Sequence, residues 1–105
     1  MTLRDIEAKH RQGEKLVMVT CYDYASALLL DACEIDMLLV GDSVANTMLG
    51  YETTLPVTLE DMIHHAAAVK RGVKRAFTVV DMPFLSYQTS PEDALRNAGR
   101  IMKET

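Results

Sequence analysis

Three short apolar runs, each followed by a helical pattern, constrain the fold of this chain more than any other feature. We assign these runs to buried strands at residues 16–20, 37–40 and 76–80. They are continuous rather than alternating, as expected when both faces of a parallel sheet are covered. Strands and helices alternate along the chain, and consecutive βα units of this kind form a right-handed parallel sheet. The sequence therefore predicts an α/β fold.

Local signals mark the ends of the helices between these strands. A helix is expected over residues 24–33, and each helix follows a residue able to cap it, namely Asp23, Thr58 or Ser90. Asp61 completes a pattern close to a capping box with Thr58, and Gly72 supplies a glycine stop for the same helix. Pro91 fits the first position of the last helix. Residues 1–12 are expected to form a further short helix.

The connection after the second strand is unusually long. It spans about 14 residues, 44–57, whereas most such connections span roughly two to six residues, so it is expected to be functional or mobile. Three parallel strands also leave two open sheet edges, and the chain ends within a helical pattern. We therefore expect the first portion of a larger α/β protein, since a barrel of this kind takes about 250 residues.

Charge and composition exclude several classes of function. The chain has 11 basic and 15 acidic residues, and neither sign is clustered, so we expect no nucleic-acid or membrane partner. No apolar stretch approaches the roughly 20 residues that span a bilayer. The charged N-terminus lacks a signal-peptide core, which favours a cytoplasmic location. Cys21 and Cys33 lack zinc-type spacing and are expected to be reduced, buried thiols.

Polar side chains follow the second and third strands at the points where these strands end. Gly41, Asp42 and Ser43 follow the second strand, and Asp81 follows the third. Ligands of parallel α/β folds bind at the carboxyl ends of the strands. If these two strands are neighbours, their ends lie about 4.8 Å apart, so Asp42 and Asp81 can reach one cation. Two carboxylates with open coordination positions suit Mg²⁺.

Ordinary structural explanations stand beside this one. An aspartate after a strand often forms an Asx turn or caps the next helix, which applies to Asp42 and Asp81 and most directly to Asp23. Ser43 fits a turn equally well. The metal-site interpretation is favoured because the two carboxylates recur at matching places on successive strands.

Other residues give weaker signals. His64 and His65 are adjacent on a helix, so they point to different faces and cannot form a metal pair. We expect them at a surface or an interface. Cys21 has no feature of a nucleophile and is expected to be a small buried side chain.

Three segments together resemble a known enzyme family. The strings TCYDYASA, LLVGDSVANTMLGYETTLPVTLEDMIHHAAAVKRG and VVDMPFLSYQTSPEDALRNAGRIMKE resemble the amino-terminal part of the ketopantoate (3-methyl-2-oxobutanoate) hydroxymethyltransferases. The resemblance covers the chain from Leu3 onward. It implies the first three strands of a (β/α)₈ TIM barrel of the phosphoenolpyruvate/pyruvate superfamily. Residues 1–105 would then be the amino-terminal part of a single barrel domain.

The resemblance also implies an activity and a set of ligands. Family members transfer a hydroxymethyl group from 5,10-methylenetetrahydrofolate to 3-methyl-2-oxobutanoate, giving 2-dehydropantoate in pantothenate biosynthesis. They depend on Mg²⁺, which assists enolate formation at C3, and usually form decamers. By matching position, Asp42 and Asp81 would bind the metal and contact the oxo acid, and Ser43 would bind the oxo acid. The general base and further ligands would lie beyond Thr105, so we expect no activity from this chain alone.

Three other functions fit parts of the same pattern. A Mg²⁺-binding receiver-type signalling module has parallel βα units and strand-end aspartates. It also requires an acidic pair after the first strand, where only Asp23 stands. A Mg²⁺-dependent lyase or mutase of another 2-oxo acid would share the fold and the carboxylate pair. The last is a non-catalytic remnant, or a partner chain that completes its barrel with a second polypeptide.

Overall fold

Helices and strands alternate along the chain in the computed structural model, which describes residues 1–105. In chain order the elements are α1 (Leu3–Arg11), β1 (Met18–Thr20), α2 (Tyr24–Ala32), β2 (Met37–Val40), α3 (Val44–Thr47), α4 (Leu59–Gly72), β3 (Phe77–Val80) and α5 (Pro91–Glu104). The three predicted strands and the predicted helices are confirmed, although β1 is two residues shorter than expected. The connection 44–57 is not wholly irregular, because the short helix α3 occupies its beginning.

The three strands form one parallel sheet in the order β1-β2-β3. Met37 of β2 pairs with Met18 of β1 on one side and with Phe77 of β3 on the other. Strands that follow one another in sequence are therefore neighbours in the sheet, which is the usual result of short βα connections. The condition on which the shared metal site depends, that the second and third strands are neighbours, is met.

The sheet is well covered on one face only. Along β2, Leu38 and Val40 are fully buried, whereas Met37 and Leu39 are partly exposed. The prediction that the strands are buried on both faces is therefore wrong for all three strands, and most clearly for β1 and β3. β1 is largely exposed and β3 is partly exposed along its whole length. Each has a neighbouring strand on one side only, which leaves the other edge open.

Helix α4 packs closely against α2, and Gly72 makes this approach possible. A Cβ atom at Gly72 would lie 2.9 Å from the Cβ of Ala27 and 2.9 Å from the carbonyl oxygen of Tyr24. The helix ends at Gly72, as predicted, but not through a left-handed glycine, because Gly72 is the last helical residue and the extended backbone of Val73 follows it. The absence of a side chain at this position serves interhelical packing.

The predicted N-caps are confirmed. Asp23 accepts a hydrogen bond from the Ser26 amide at 2.8 Å, and Ser90 accepts one from the Asp93 amide at 3.1 Å. Thr58 begins α4 in a full capping box with Asp61. Each of these bonds satisfies an amide of the first helical turn that has no intrahelical partner.

The two cysteines differ in their surroundings. Cys21 is buried in the core, as expected, and burial raises the pKa of its thiol. Cys33 is exposed, so the prediction of a buried thiol is wrong there. Cys33 lies at the carboxyl end of α2, where the chain turns on the surface before β2.

Two carboxylates fix the amino-terminal ends of the strands. Asp36 is buried, accepts the Val17 amide at 2.9 Å and binds the Lys9 ammonium at 2.6 Å. Asp31 accepts the amides of three consecutive residues that lead into β3, which are Lys74, Arg75 and Ala76. These contacts lie at the end of the sheet opposite to the predicted ligand site, so we assign them to stability.

Candidate functional site

The carboxyl ends of β2 and β3 place the two predicted aspartates next to each other. The Asp42 amide donates a hydrogen bond to Asp81 Oδ2 at 3.0 Å. The Asp81 amide in turn donates to the carbonyl oxygen of Val40 at 3.0 Å, which extends the pairing of the two strands by one residue. Asp42 and Asp81 therefore lie next to each other, at the end of the sheet where the strands have their carboxyl termini.

Gly41 leaves space between the groups of this site. A Cβ atom at Gly41 would lie 3.3 Å from Asp81 Oδ2 and 3.3 Å from the Ser43 hydroxyl oxygen. Contacts this short would force one of those polar groups to move. The glycine thus allows the Asp81 carboxylate and the Ser43 hydroxyl to approach the same region.

No positively charged side chain neutralises the two carboxylates. Asp42 and Asp81 are partly buried, and neither takes part in an ion pair of the structure. The Asp42 carboxylate accepts no hydrogen bond, and Asp81 accepts only the Asp42 amide. Two adjacent carboxylates without a cationic partner fit a hard cation such as Mg²⁺. No third His, Cys, Asp or Glu lies close enough to join them.

Ser43 is bound to a residue that the sequence did not single out. Its hydroxyl oxygen lies 2.6 Å from the Tyr22 phenol oxygen, and it makes no capping bond to α3. Tyr22 follows β1 and lies at the same carboxyl-terminal end of the sheet as Asp42 and Asp81. Its position after a strand was the available signal, but a single tyrosine at such a place has no specific chemical pattern.

The residues on either side of Tyr22 have structural roles. Asp23 accepts both the amide and the hydroxyl of Ser26, and the Ser26 amide is the main cause that lowers the pKa of Asp23. Asp23 is thus the cap of α2, as predicted, and its carboxylate is committed to this helix. The Cys21 thiol donates to the Asp23 carbonyl oxygen at 3.6 Å, which agrees with the predicted buried, unreactive cysteine.

The two histidines of α4 have different surroundings. His64 is exposed, as expected of a surface residue. His65 is partly buried, and its Nδ1 lies 2.9 Å from the Tyr22 carbonyl oxygen. The His65 and Tyr22 rings also meet edge to face, with centroids 6.5 Å apart. The two side chains differ in exposure, as expected, but they do not point fully apart, because their rings meet edge to face with centroids 5.3 Å apart. The contact of His65 with Tyr22 was not predicted.

The largest cavity lies away from these side chains. It has a volume of about 600 Å³ and lies between β3, α5 and the N-terminus. Most of its lining is apolar and includes Phe77, Val80, Ile101 and Met102. An apolar space beside the open edge of β3 suits further protein better than it suits a charged oxo acid.

Comparison with known proteins identifies the family. The model of the ketopantoate hydroxymethyltransferase family matches residues 1–105. The chain belongs to this family. Membership excludes the receiver-type signalling module considered above, and it agrees with the resemblance seen in the sequence.

Individual relatives of the ketopantoate hydroxymethyltransferase family extend this finding. The 3-methyl-2-oxobutanoate hydroxymethyltransferase of Thermosynechococcus vestitus is 59% identical over 104 residues, which are 99% of this chain and 40% of that protein. The enzyme of the same name from Caldicellulosiruptor saccharolyticus is 53% identical, over 98% of this chain and 39% of its own length. The chain thus spans about two-fifths of the length of these curated relatives.

None of the helices of the chain is long and apolar enough to cross a membrane. The longest, α4 and α5, have 14 residues each and carry several charges. A helix that crosses a bilayer needs about 20 predominantly apolar residues.

Proposed function

We propose that residues 1–105 form the first three βα units of a (β/α)₈ barrel of the phosphoenolpyruvate/pyruvate superfamily. The parallel order β1-β2-β3 supports this, because each strand is followed by a helix as in such barrels. The open edges of β1 and β3 and the apolar cavity beside β3 also support it, since further strands and helices would cover them. This chain covers only 40% of the Thermosynechococcus vestitus relative, so the rest of such a protein is long enough to supply those elements.

The activity proposed for the complete barrel is transfer of a hydroxymethyl group to 3-methyl-2-oxobutanoate, which gives 2-dehydropantoate. The name of the relatives supports the acceptor and the group transferred. The donor, 5,10-methylenetetrahydrofolate, and the decameric assembly are further parts of this proposal. They rest on the resemblance of the sequence to the family.

Asp42 and Asp81 would hold Mg²⁺. Their carboxylates lie at neighbouring strand ends without a cationic partner, and Mg²⁺ prefers oxygen ligands of this kind. When bound, Mg²⁺ supplies positive charge that polarises the keto group of a 2-oxo acid and makes its C3 proton more acidic. The close contact between the Asp42 amide and Asp81 Oδ2 is the single observation that carries this assignment.

Ser43 would hold the carboxylate of the oxo acid. Its hydroxyl lies at the same end of the sheet as the two aspartates, and it does not cap α3. Tyr22, at 2.6 Å, can donate its proton to Ser43 and leave the serine proton free for the substrate. With Asp42 and Asp81 assigned to the metal, the base that removes the C3 proton is proposed to come from elsewhere in the complete protein, as the resemblance to the family implies.

A chimeric enzyme tests this function. Residues 1–105 would replace the 104 matching residues of the Thermosynechococcus vestitus enzyme, and this protein is called the chimera below. We expect it to exchange the C3 hydrogen of 3-methyl-2-oxobutanoate for deuterium in D₂O when Mg²⁺ is present. Asp42→Ala should remove this exchange, whereas Glu92→Ala, at an exposed position of α5, should retain it. A folded chimera without exchange would contradict the proposed function.

A further inference from the structure

We propose that His65 is a positioning residue for the substrate carboxylate, and that it acts through Tyr22 and Ser43. This inference rests on the proposed function, because it assigns a role to the side chain behind the proposed oxo-acid site. His65 lies on α4, one layer outside the strand ends, and it does not contact Ser43 itself. Its effect would pass along two hydrogen bonds, from His65 to Tyr22 and from Tyr22 to Ser43.

The first bond fixes the main chain of Tyr22. The Tyr22 carbonyl lies beyond the end of β1, and no backbone amide donates to it. The Nδ1 of His65, at 2.9 Å, is its hydrogen-bond partner. A carbonyl oxygen can only accept, so Nδ1 must carry the hydrogen and donate it. The edge-to-face contact of the two rings holds the Tyr22 side chain from the same direction.

The second bond sets the direction of the Ser43 hydroxyl. The oxygens of Tyr22 and Ser43 are 2.6 Å apart. A phenol is a stronger acid than an alcohol, so the favoured arrangement has Tyr22 donating and Ser43 accepting. The proton of Ser43 is then free to point toward a substrate carboxylate. A displaced Tyr22 would allow Ser43 to rotate away from this orientation.

Helix α4 is a firm support for His65. On the side of α4 that faces the sheet and α2, the residues Met62, Ala66 and Val69 are fully buried. Gly72 then brings the end of α4 against α2 at close range. His65 lies directly beside this buried stripe, so the backbone that carries its ring is held in place next to Tyr22.

Loss of the His65 bond should leave the rest of the fold in place. The neighbours of Tyr22 have other bonds, since the Cys21 amide donates to Leu39 and Asp23 caps α2. The carboxylate of the oxo acid keeps the same charge throughout the reaction. Its bond to Ser43 should therefore be equally strong in the bound substrate and in the transition state. Weakening that bond should raise KM and leave kcat unchanged.

Four variants of the chimera test this role, with KM, kcat and Tm measured for each by C3 exchange and circular dichroism. His65→Leu and Tyr22→Phe should each raise KM for 3-methyl-2-oxobutanoate roughly three- to tenfold, the value of one hydrogen bond. Asn places an amide N–H near the position of Nδ1, so His65→Asn should restore KM to within about twofold. Arg71→Gln is the control, because Arg71 is an exposed residue of the same helix, whereas the His64 ring meets the His65 ring edge to face at 5.3 Å; it should change neither KM nor kcat.

The double variant His65→Leu/Tyr22→Phe should match Tyr22→Phe alone, because both changes act on the same contact. Unchanged KM in His65→Leu would overturn the proposal. So would a loss of activity that follows a lower Tm and that His65→Asn does not restore, since His65 would then be purely structural. Absence of exchange in the unsubstituted chimera would instead contradict the proposed function, so the two failures are distinguishable.

Discussion

The Asp42 amide and the Asp81 carboxylate are joined by a hydrogen bond of 3.0 Å across the ends of β2 and β3. This bond makes the two aspartates unequal. The Asp81 side chain is held by the main chain of its neighbour, whereas the Asp42 carboxylate has no partner of its own. The Asp81 carboxylate thus has a fixed position, whereas the oxygens of the Asp42 carboxylate remain free to bind a cation.

The first prediction uses this inequality. Asp42→Ala and Asp81→Ala should each lower the Mg²⁺-dependent C3 exchange of the chimera by about a hundredfold or more, since either change removes a proposed metal ligand. Asp81→Ala also removes the acceptor of the Asp42 amide and should destabilise the protein by about 1 kcal/mol. Asp42→Ala keeps that bond and should leave the free energy of unfolding unchanged. Equal stability of the two variants would contradict the role of Asp81 as an acceptor.

The second prediction concerns Gly41. Gly41→Ala places a Cβ atom 3.3 Å from both Asp81 Oδ2 and the Ser43 hydroxyl, so one of these groups must shift. We expect the chimera to lose roughly tenfold or more in kcat/KM, because small displacements of positioning groups are costly. Gly99→Ala on exposed α5 has no neighbour within 4 Å and should leave activity unchanged while raising Tm slightly. Full activity of Gly41→Ala would show that the site does not need the space left by the missing side chain of Gly41.

Local features of the fold could be predicted from the sequence, whereas contacts between distant residues could not. The capping box of Thr58 and Asp61 was readable because its members are three residues apart. The contact of His65 with Tyr22 joins residues 43 positions apart, and it depends on how α4 packs on α2. The periodic pattern of α4 reveals which stripe is buried but not what the residues at its border touch.

Gly72 shows how a correct location can have the wrong cause. A glycine after a basic helical turn usually ends a helix in a left-handed conformation, and the sequence contains no sign of another reason. The reason lies in Ala27 and Tyr24 of a different helix. In the same way, the apolar composition of β1 and β3 could not reveal that β1 is largely exposed and β3 partly exposed in this structure.

The third prediction follows from this packing. Gly72→Ala should destabilise the chimera by about 1–3 kcal/mol, because the added methyl group meets a carbonyl oxygen of the backbone that cannot move aside easily. The thermal midpoint of unfolding measures this effect. Gly99→Ala again serves as the control, because it makes the same change in a helix without a close neighbour. A Tm for Gly72→Ala at or above that of the unsubstituted chimera would contradict close packing at this position.

The fourth prediction concerns acid. The Lys9 ammonium and then the Val17 amide lower the pKa of buried Asp36. Because the folded-state pKa lies below the unfolded value of about 3.9, ionised Asp36 stabilises the fold above that value. This contribution is lost as the pH falls through the folded-state pKa. Stability of the chimera should thus change little on this account between pH 7 and pH 5, and fall below about pH 4.

Asp36→Asn provides the test of this acid dependence. The variant should be less stable at pH 7 by about 1–3 kcal/mol, because it loses a charged hydrogen bond to Lys9. The difference in Tm between the two proteins should shrink as the pH falls below 4, where Asp36 itself becomes protonated. Glu52→Gln, at an exposed position outside the helices and strands, should follow the unsubstituted chimera at every pH. A constant difference down to pH 2 would refute the role of the Asp36 charge.

The last prediction concerns the open edge of β3. The Phe77 amide donates to Asp36, directly before β2, and the Asp81 amide donates to Val40 of β2. The Thr78 amide alternates with them and therefore points away from β2 toward the open edge. The 105-residue chain alone should show no C3 exchange. Mixing it with the unmatched remainder of the Thermosynechococcus vestitus enzyme should restore exchange, if a strand of that remainder pairs with β3.

Two substitutions of Thr78 separate strand pairing from other contacts. Thr78→Pro removes the amide that would pair with the added strand, while the bonds of β3 to β2 use other residues. It should abolish the restored exchange. Thr78→Val keeps the amide and removes only a buried hydroxyl that has no hydrogen-bond partner, so exchange should be restored as with the unsubstituted chain. Equal restoration by the two variants would show that the remainder of the barrel does not join through the edge of β3.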